Sequence, residues 1–311
     1  MSRAIDVSNL SYHYGARQAL KDLTLSIDRG EIFAFLGPNG GGKTTLFRLL
    51  STLIPLQRGQ VQILGFDVGR QTAAVRAEIG VVFQAPSLDK KLTVAENIRH
   101  QGHLYGLSGG ELRRRQNEML QRLGLADRAG ERTEALSGGL RRRVELAKGM
   151  LHQPRLLILD EPSTGLDPGA RADLWDYLTQ IRRRDGVTVV LTTHLLEEAE
   201  RADRIAILHE GSLVALDTPD ALRATIGGDA ITMQTDDPAA LAAAIGERFD
   251  CAAAVIDGTV RLEQPAGHQW IARLMEAFGQ QINSITLGKP TLADVFIART
   301  GHRMYEGEPT S

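Results

Sequence analysis

The chain has 311 residues, 42% of them hydrophobic and 24% charged, and a formal net charge of -2. That length suits one large domain plus a smaller one, and the balance is that of a soluble globular protein. The charge excludes a global basic field that would gather nucleic acid or anionic lipid, and the single cysteine, Cys251, excludes an intrachain disulfide and fits a reducing compartment.

The first ten residues carry early charges and no apolar centre, so they do not read as a signal peptide. Residues 3–9 and 22–28 read as strands, joined by a polar turn bearing Tyr12, His13, Tyr14 and Gly15. Residues 31–36 form a short apolar run suited to a buried strand, and 45–53 read as an apolar helix after an intervening Gly-rich loop. Residues 61–64 and 79–83 are further strands, and 93–150 are mostly helical around a loop at 136–139. Residues 156–159 read as a buried strand ending in two acids, and 187–192 as another that ends at His194. The apolar stretch 187–196 is broken by Thr192, Thr193 and His194 and is too short to span a bilayer, so any membrane role must come through a partner. Strands alternating with helices imply an α/β core with a mainly parallel sheet.

Composition shifts at 226–228, and a β-α-β-β-α-β pattern follows: strand 230–235, helix 238–248, strands 252–256 and 259–263, helix 268–279 and strand 282–287. Asp257-Gly258 between two apolar runs is a hairpin signal. The pattern suggests a small α+β, ferredoxin-like accessory domain, with a last helix at 291–300 after Pro290.

Gly37-Pro38-Asn39-Gly40-Gly41-Gly42-Lys43-Thr44 fits the phosphate-loop pattern G-x-x-x-x-G-K-[ST], with an apolar strand before it and a helix after. Glycines let the backbone wrap a β-phosphate with converging N–H groups, and the helix aims its positive end at the anion. Lys43 has the reach and charge for the β- and γ-phosphates, and the Thr44 hydroxyl suits Mg²⁺. Thr45 opens the helix on the same nucleotide-facing side. The greasy strand 156–159 delivers Asp160 and Glu161 to its carboxyl end, where ligands bind in such sheets. Asp160 suits the Mg²⁺ shell through water, and Glu161 suits a general base that polarises the attacking water.

Leu136-Ser137-Gly138-Gly139 stands just before this strand and opens a helix read from Leu140. With it the chain resembles the nucleotide-binding subunits of ABC transporters, whose signature sequence this is. Other elements follow the family's order over about residues 3–225. Tyr14 resembles the aromatic that stacks on adenine, Gln84 the Q-loop residue beside Mg²⁺, Ser163-Thr164-Gly165-Leu166-Asp167 the D-loop, and His194 the switch histidine at the γ-phosphate. The resemblance implies a P-loop NTPase cassette: a RecA-like α/β core with an antiparallel β subdomain and a helical subdomain at about 90–150. It places the cassette at 1–226, the accessory domain at 229–301 and a flexible tail at 302–311. It also implies ATP and Mg²⁺ as ligands, and a head-to-tail dimer in which each signature closes on the partner's ATP. That dimer, most simply a homodimer, would sit beneath a separately encoded membrane permease, at the cytoplasmic face of the membrane, with no nucleic-acid partner.

Two positions depart from the family pattern: Gly41 where Ala or Ser is frequent, and Leu140 where Gln is frequent. The runs Arg113 to Arg115, Arg141 to Arg143 and Arg182 to Arg184 read as solvated helix faces. The stretch from Lys289 to Phe296 resembles the C-terminal extension of ABC-2-type exporter ATPases, which implies export. Two other readings are a soluble ABC ATPase acting on DNA or ribosomes, and a transporter ATPase regulated by a ligand on the C-terminal domain. The first lacks its expected marks, since no long coiled coil separates Lys43 from Leu136 and there is no second cassette.

Overall fold

A computed structural model describes residues 2–256, 258–302 and 304. In chain order the elements are β1 (Arg3–Tyr14), β2 (Arg17–Asp28), β3 (Ile32–Leu36), α1 (Lys43–Leu50), β4 (Arg58–Ile63), β5 (Phe66–Asp67), α2 (Thr72–Glu78) and β6 (Ile79–Val82). There follow α3 (Val94–Leu104), α4 (Gly109–Arg122), α5 (Gly138–Met150), β7 (Leu156–Asp160), α6 (Pro168–Asp185), β8 (Thr188–Thr193), α7 (Leu196–Ala199), β9 (Arg204–His209) and β10 (Ser212–Asp217). The remainder is α8 (Pro219–Ala224), β11 (Asp229–Gln234), α9 (Pro238–Phe249), β12 (Ala253–Ile256), β13 (Thr259–Gln264), α10 (Gly267–Phe278), β14 (Ser284–Gly288) and α11 (Leu292–Thr300).

Two compact units divide the chain, Met1–Leu213 and Val214–Ser311. The division precedes the composition shift at 226–228, because α8 packs against α11 and belongs with the second unit.

The six-stranded sheet has the order β10-β9-β3-β8-β7-β6. The β3–β8, β3–β9, β6–β7 and β7–β8 pairs are parallel. Every residue of β3, β7 and β8 is buried, as strands covered on both faces must be, which is why they read as unbroken apolar runs. Parallel strands present all their carboxyl ends on one edge, and the phosphate loop, Asp160 and Thr193 leave the sheet there.

A second, antiparallel sheet has the order β2-β1-β4-β5. The turn expected at Tyr12 to Gly15 lies later: β1 runs on to Tyr14, paired with Arg17, and only Gly15 and Ala16 make the turn. Helix ends follow local chemistry. Thr93 and Glu96 form a reciprocal capping box on α3, while Asp167 caps α6, which closes at Gly186 with φ 66°.

The second unit is an antiparallel sheet, β12-β13-β11-β14, carrying the expected β-α-β-β-α-β element order. Ile231, Met233, Val260 and Leu262 from the sheet pack with Leu241, Ile245, Leu274 and Phe278 from the helices. Buried Arg261 on β13 meets Asp294 of α11 at 2.6 Å, and Asp294 also caps its own helix through the Thr291 N–H. Asp257 and most of the 302–311 tail lie outside the described residues. Among the described residues no helix is long and apolar enough to cross a membrane.

Candidate functional site

The loop between β3 and α1 is wedged against its neighbours. A Cβ on Gly37 would lie 2.2 Å from Leu208 O, and one on Gly42, at φ 104°, would lie 2.9 Å from Ala19 O. Only glycine allows both the backbone approach and the left-handed conformation at Gly42. A Cβ on Gly41 would sit 3.1 Å from Pro38 O, tight but within reach of small adjustments. The loop is also tied by backbone hydrogen bonds: Gly41 N–H donates to Pro38 O at 3.1 Å, and Gly211 N–H donates to Gly41 O at 3.0 Å.

Lys43 is buried, and its Nζ donates to Gly37 O at 2.7 Å and Pro38 O at 3.0 Å. Burial lowers its pKa, while Glu161 and Asp160 act in the opposite sense. A cleft of about 160 Å³ opens above it, lined by Tyr14, Asn39, Gly40, Gly42, Lys43, Thr44, Thr45 and Glu161. Tyr14 stands at its rim, 43% exposed, edge-on to Tyr12 with ring centroids 4.9 Å apart. Arg17, opposite Tyr14 in the hairpin, lines the same cleft and was not foreseen. Its β-hairpin register was the only available signal.

Asp160 ends β7 and Glu161 follows it, and their carboxylates face different partners. Thr192 Oγ1 donates to Asp160 Oδ1 at 2.6 Å and accepts from the Glu161 N–H at 3.0 Å. Burial raises the Asp160 pKa, and the Thr192 hydrogen bond opposes it. Glu161 has φ 42°, a conformation side chains seldom adopt. Its carboxylate collects four side chains. Lys43 Nζ is 3.9 Å from Oε1, while Gln84 Nε2 donates to Oε2 at 3.1 Å and Thr164 Oγ1 at 3.2 Å. His194 Nδ1 is 3.2 Å from the same Oε2. The start of α1, the loops after β6 and β8, and Glu161's own loop therefore bring side chains to one carboxylate beside the phosphate loop.

The signature lies elsewhere. Leu136 is buried, and helix α5 begins at Gly138 rather than Leu140, with the Ser137 hydroxyl accepting from Leu140 N–H at 3.3 Å. A Cβ on Gly139 would lie 2.8 Å from the Ala170 Cβ, so glycine lets α5 start close to α6. None of residues 136–139 lines the phosphate-loop cleft. Asp167 spends its Oδ1 on the Ala170 N–H at 2.9 Å.

The solvated reading of Arg141 to Arg143 fails at Arg142, which is buried. Arg142 donates to Phe83 O at 2.7 Å, Gln84 O at 3.4 Å and Glu145 Oε2 at 3.1 Å. Glu145 accepts from Ser87 N–H, and Lys148 Nζ donates to Ser87 O at 2.7 Å. The face of α5 bearing 142, 145 and 149 is buried, and that i, i+3, i+7 spacing was the missed signal. Arg143 is engaged too, with Asp173, and Arg182 with Asp203 at 3.0 Å.

A sequence profile described as ABC transporter matches residues 20–164. The daunorubicin resistance ATP-binding protein DrrA3 of Streptomyces coeruleorubidus is 38% identical over 307 residues, covering 96% of this chain and 96% of that protein. The linearmycin resistance ATP-binding protein LnrL of Bacillus subtilis is 34% identical over 315 residues, covering 96% of this chain and 99% of that protein. The Nod factor export ATP-binding protein I of Rhizobium johnstonii is 36% identical over 303 residues, covering 97% and 96%. Among solved structures, an ATP binding subunit of an ABC transporter is 33% identical with TM-score 0.65, covering 71% of this chain and 92% of its own. A dimeric ATP-binding cassette bound to ADP and Pi is 29% identical with TM-score 0.63, covering 69% and 98%. This likeness extends along nearly the whole chain, and the chain belongs to the ABC transporter family, as one of its ATP-binding, ATP-hydrolysing subunits.

Proposed function

We propose that the chain powers export by an ABC-2-type transporter, closing as a dimer on ATP and opening after hydrolysis beneath a separately encoded permease at the cytoplasmic face of the membrane. The observation that carries the catalytic part is the convergence on Glu161 beside the phosphate loop. Tyr14 stacks the base, residues 37–45 hold the phosphates, and Lys43 addresses the β- and γ-phosphates. Glu161 takes a proton from the attacking water, and Gln84 and His194 orient it and the γ-phosphate. The signature, 136–139, serves the partner's nucleotide, and its place outside the cleft supports that division of labour.

Among the described residues no group of three or more His, Cys, Asp or Glu side chains could hold a metal alone. Mg²⁺ suits such a place, because it is usually held by one or two protein oxygens, water and substrate phosphates. Thr44, Asp160 and Gln84 offer oxygens of the right hardness. The ion would neutralise phosphate charge. Export as the direction rests on relatives named for drug resistance and Nod factor export.

The test is co-expression with a candidate polytopic membrane protein and capture of the full chain. Recovery of the membrane protein, with ATP-dependent efflux from reconstituted vesicles, is expected. Active ATP turnover with no membrane partner and no efflux would favour a non-transport ATPase.

A further inference from the structure

Glu161 and His194 belong to two separate loops, and one buried side chain ties these loops together. Glu198 in α7 is 2% exposed. Its Oε1 accepts from Ser163 Oγ, and its Oε2 accepts from Thr193 Oγ1 at 2.6 Å. Ser163 lies between Glu161 and Thr164, and Thr164 donates to Glu161 Oε2 at 3.2 Å. Thr193 precedes His194, and its oxygen also accepts from Leu195 N–H at 3.0 Å. Both hydroxyl residues are 1% exposed, so neither has water as an alternative partner.

We propose that Glu198 is a positioning residue for ATP hydrolysis: its two carboxylate oxygens clasp the 161–164 and 193–195 loops and so hold His194 against Glu161. A glutamate suits this place because it offers two acceptors and no donor to two hydroxyls that each have one proton to give. Hydrogen bonds to a carboxylate are shorter and stronger than neutral ones, so the clasp fixes loop spacing rather than merely filling volume. The inference rests on the catalytic reading of Glu161 and His194 given above.

The experiment measures steady-state ATP hydrolysis and equilibrium ATP binding on the full chain for Glu198→Gln, Thr193→Val and Thr193→Ser, each alone and with His194→Ala. Glu198→Gln and Thr193→Val are expected to lower kcat about tenfold, the scale of one lost hydrogen bond to a charged group, with ATP affinity unchanged. Thr193→Ser keeps the hydroxyl and should retain wild-type kcat. Once His194 is already alanine, neither Glu198→Gln nor Thr193→Val should lower kcat further, because positioning residues are non-additive with what they position. An undiminished tenfold loss in the His194→Ala background, or wild-type kcat in both Glu198→Gln and Thr193→Val, overturns the proposal. If His194→Ala alone keeps wild-type kcat, the catalytic reading of His194 falls, and the clasp falls with it. Should Glu198→Gln fail to fold, the Thr193→Val and Thr193→Ser pair decides the matter.

Discussion

Lys43 Nζ and Glu161 Oε1 stand 3.9 Å apart, with side chains only 4% and 9% exposed, although one opens α1 and the other follows β7. The groups proposed to address phosphate and water thus share one small volume while resting on different elements. Their roles should separate on substitution.

Glu161→Gln keeps the size of the side chain and removes the proposed base. Phosphate release should fall by at least about a hundredfold, the usual range for losing a general base, while ATP affinity stays near wild type. Gel filtration with ATP should then show a trapped dimer. Near-normal hydrolysis would falsify the assignment of Glu161.

Lys43→Ala should lose affinity and turnover together. On the proposed reading the ammonium meets two phosphates in the ground state, so no step is spared. Titration with labelled ATP is the measurement, and an unchanged affinity would reduce residues 37–44 to a structural turn.

Arg142→Met removes the donor to Phe83 O and Gln84 O and strands the Glu145 carboxylate in a buried place. Losing one partner of a buried pair costs about 3 kcal/mol, which thermal or denaturant unfolding would register. Adding Glu145→Met removes the stranded charge. The double variant should therefore be less destabilised than the sum of the two single ones, and strict additivity would show that the pair is not coupled.

Shared sites can be tested with mixed dimers. One subunit carries Lys43→Ala and the other Ser137→Arg; if the sites are shared, both lesions fall on one composite site and leave the second intact. Hydrolysis by differently tagged, co-purified subunits with the permease should exceed that of either homodimer. Activity that tracks only subunits with both residues intact would make each chain a self-contained ATPase.

His152 should make the fold acid-sensitive. Its Nε2 lies 3.0 Å from Ile79 O and its ring stacks on Tyr105 at 3.7 Å. Burial pulls its pKa down from 6.5 to about 4. The unfolded chain then binds the proton more readily than the folded one between those values, so stability is present above pH 6.5 and is lost as pH falls through that window. The loss is on the order of 2 kcal/mol, and His152→Gln should flatten it in urea unfolding at pH 7 and pH 5. Parallel pH dependence in the two proteins would contradict this.

The sequence made local features plain. The phosphate loop and the Asp160-Glu161 pair are contiguous, and their chemistry lies in residue type and in a preceding apolar strand. Long-range partners were opaque. Gln84 reaches Glu161 across 77 positions and Arg142 reaches Phe83 across 59, and no local pattern encodes such a meeting. Arg142 was hidden further by its neighbours, because a run of three arginines looks solvated until the buried face of its helix is known. Tyr12 to Gly15 looked like a turn because His13 and Tyr14 are polar or exposed, yet both continue the ladder with Gln18 and Arg17. Gly227 and Gly228 marked a loop, not the seam between units, since compactness depends on where α8 packs.

The bracing of the phosphate loop makes the stiffness of the site one-sided. Leu208 and Ala19 crowd its glycines and Gly211 bonds to its backbone, so the anion cradle behaves as a fixed anvil. Gln84 and His194 instead meet Glu161 through side-chain contacts alone, at 3.1 and 3.2 Å, from loops that follow other strands. A change in the charge at Glu161 or in front of it is therefore felt first by these loops rather than by the cradle. On the proposed catalytic reading, the work of a hydrolysis cycle leaves the site through the segments at 84 and 194, while the phosphate loop serves as the stationary frame against which they move.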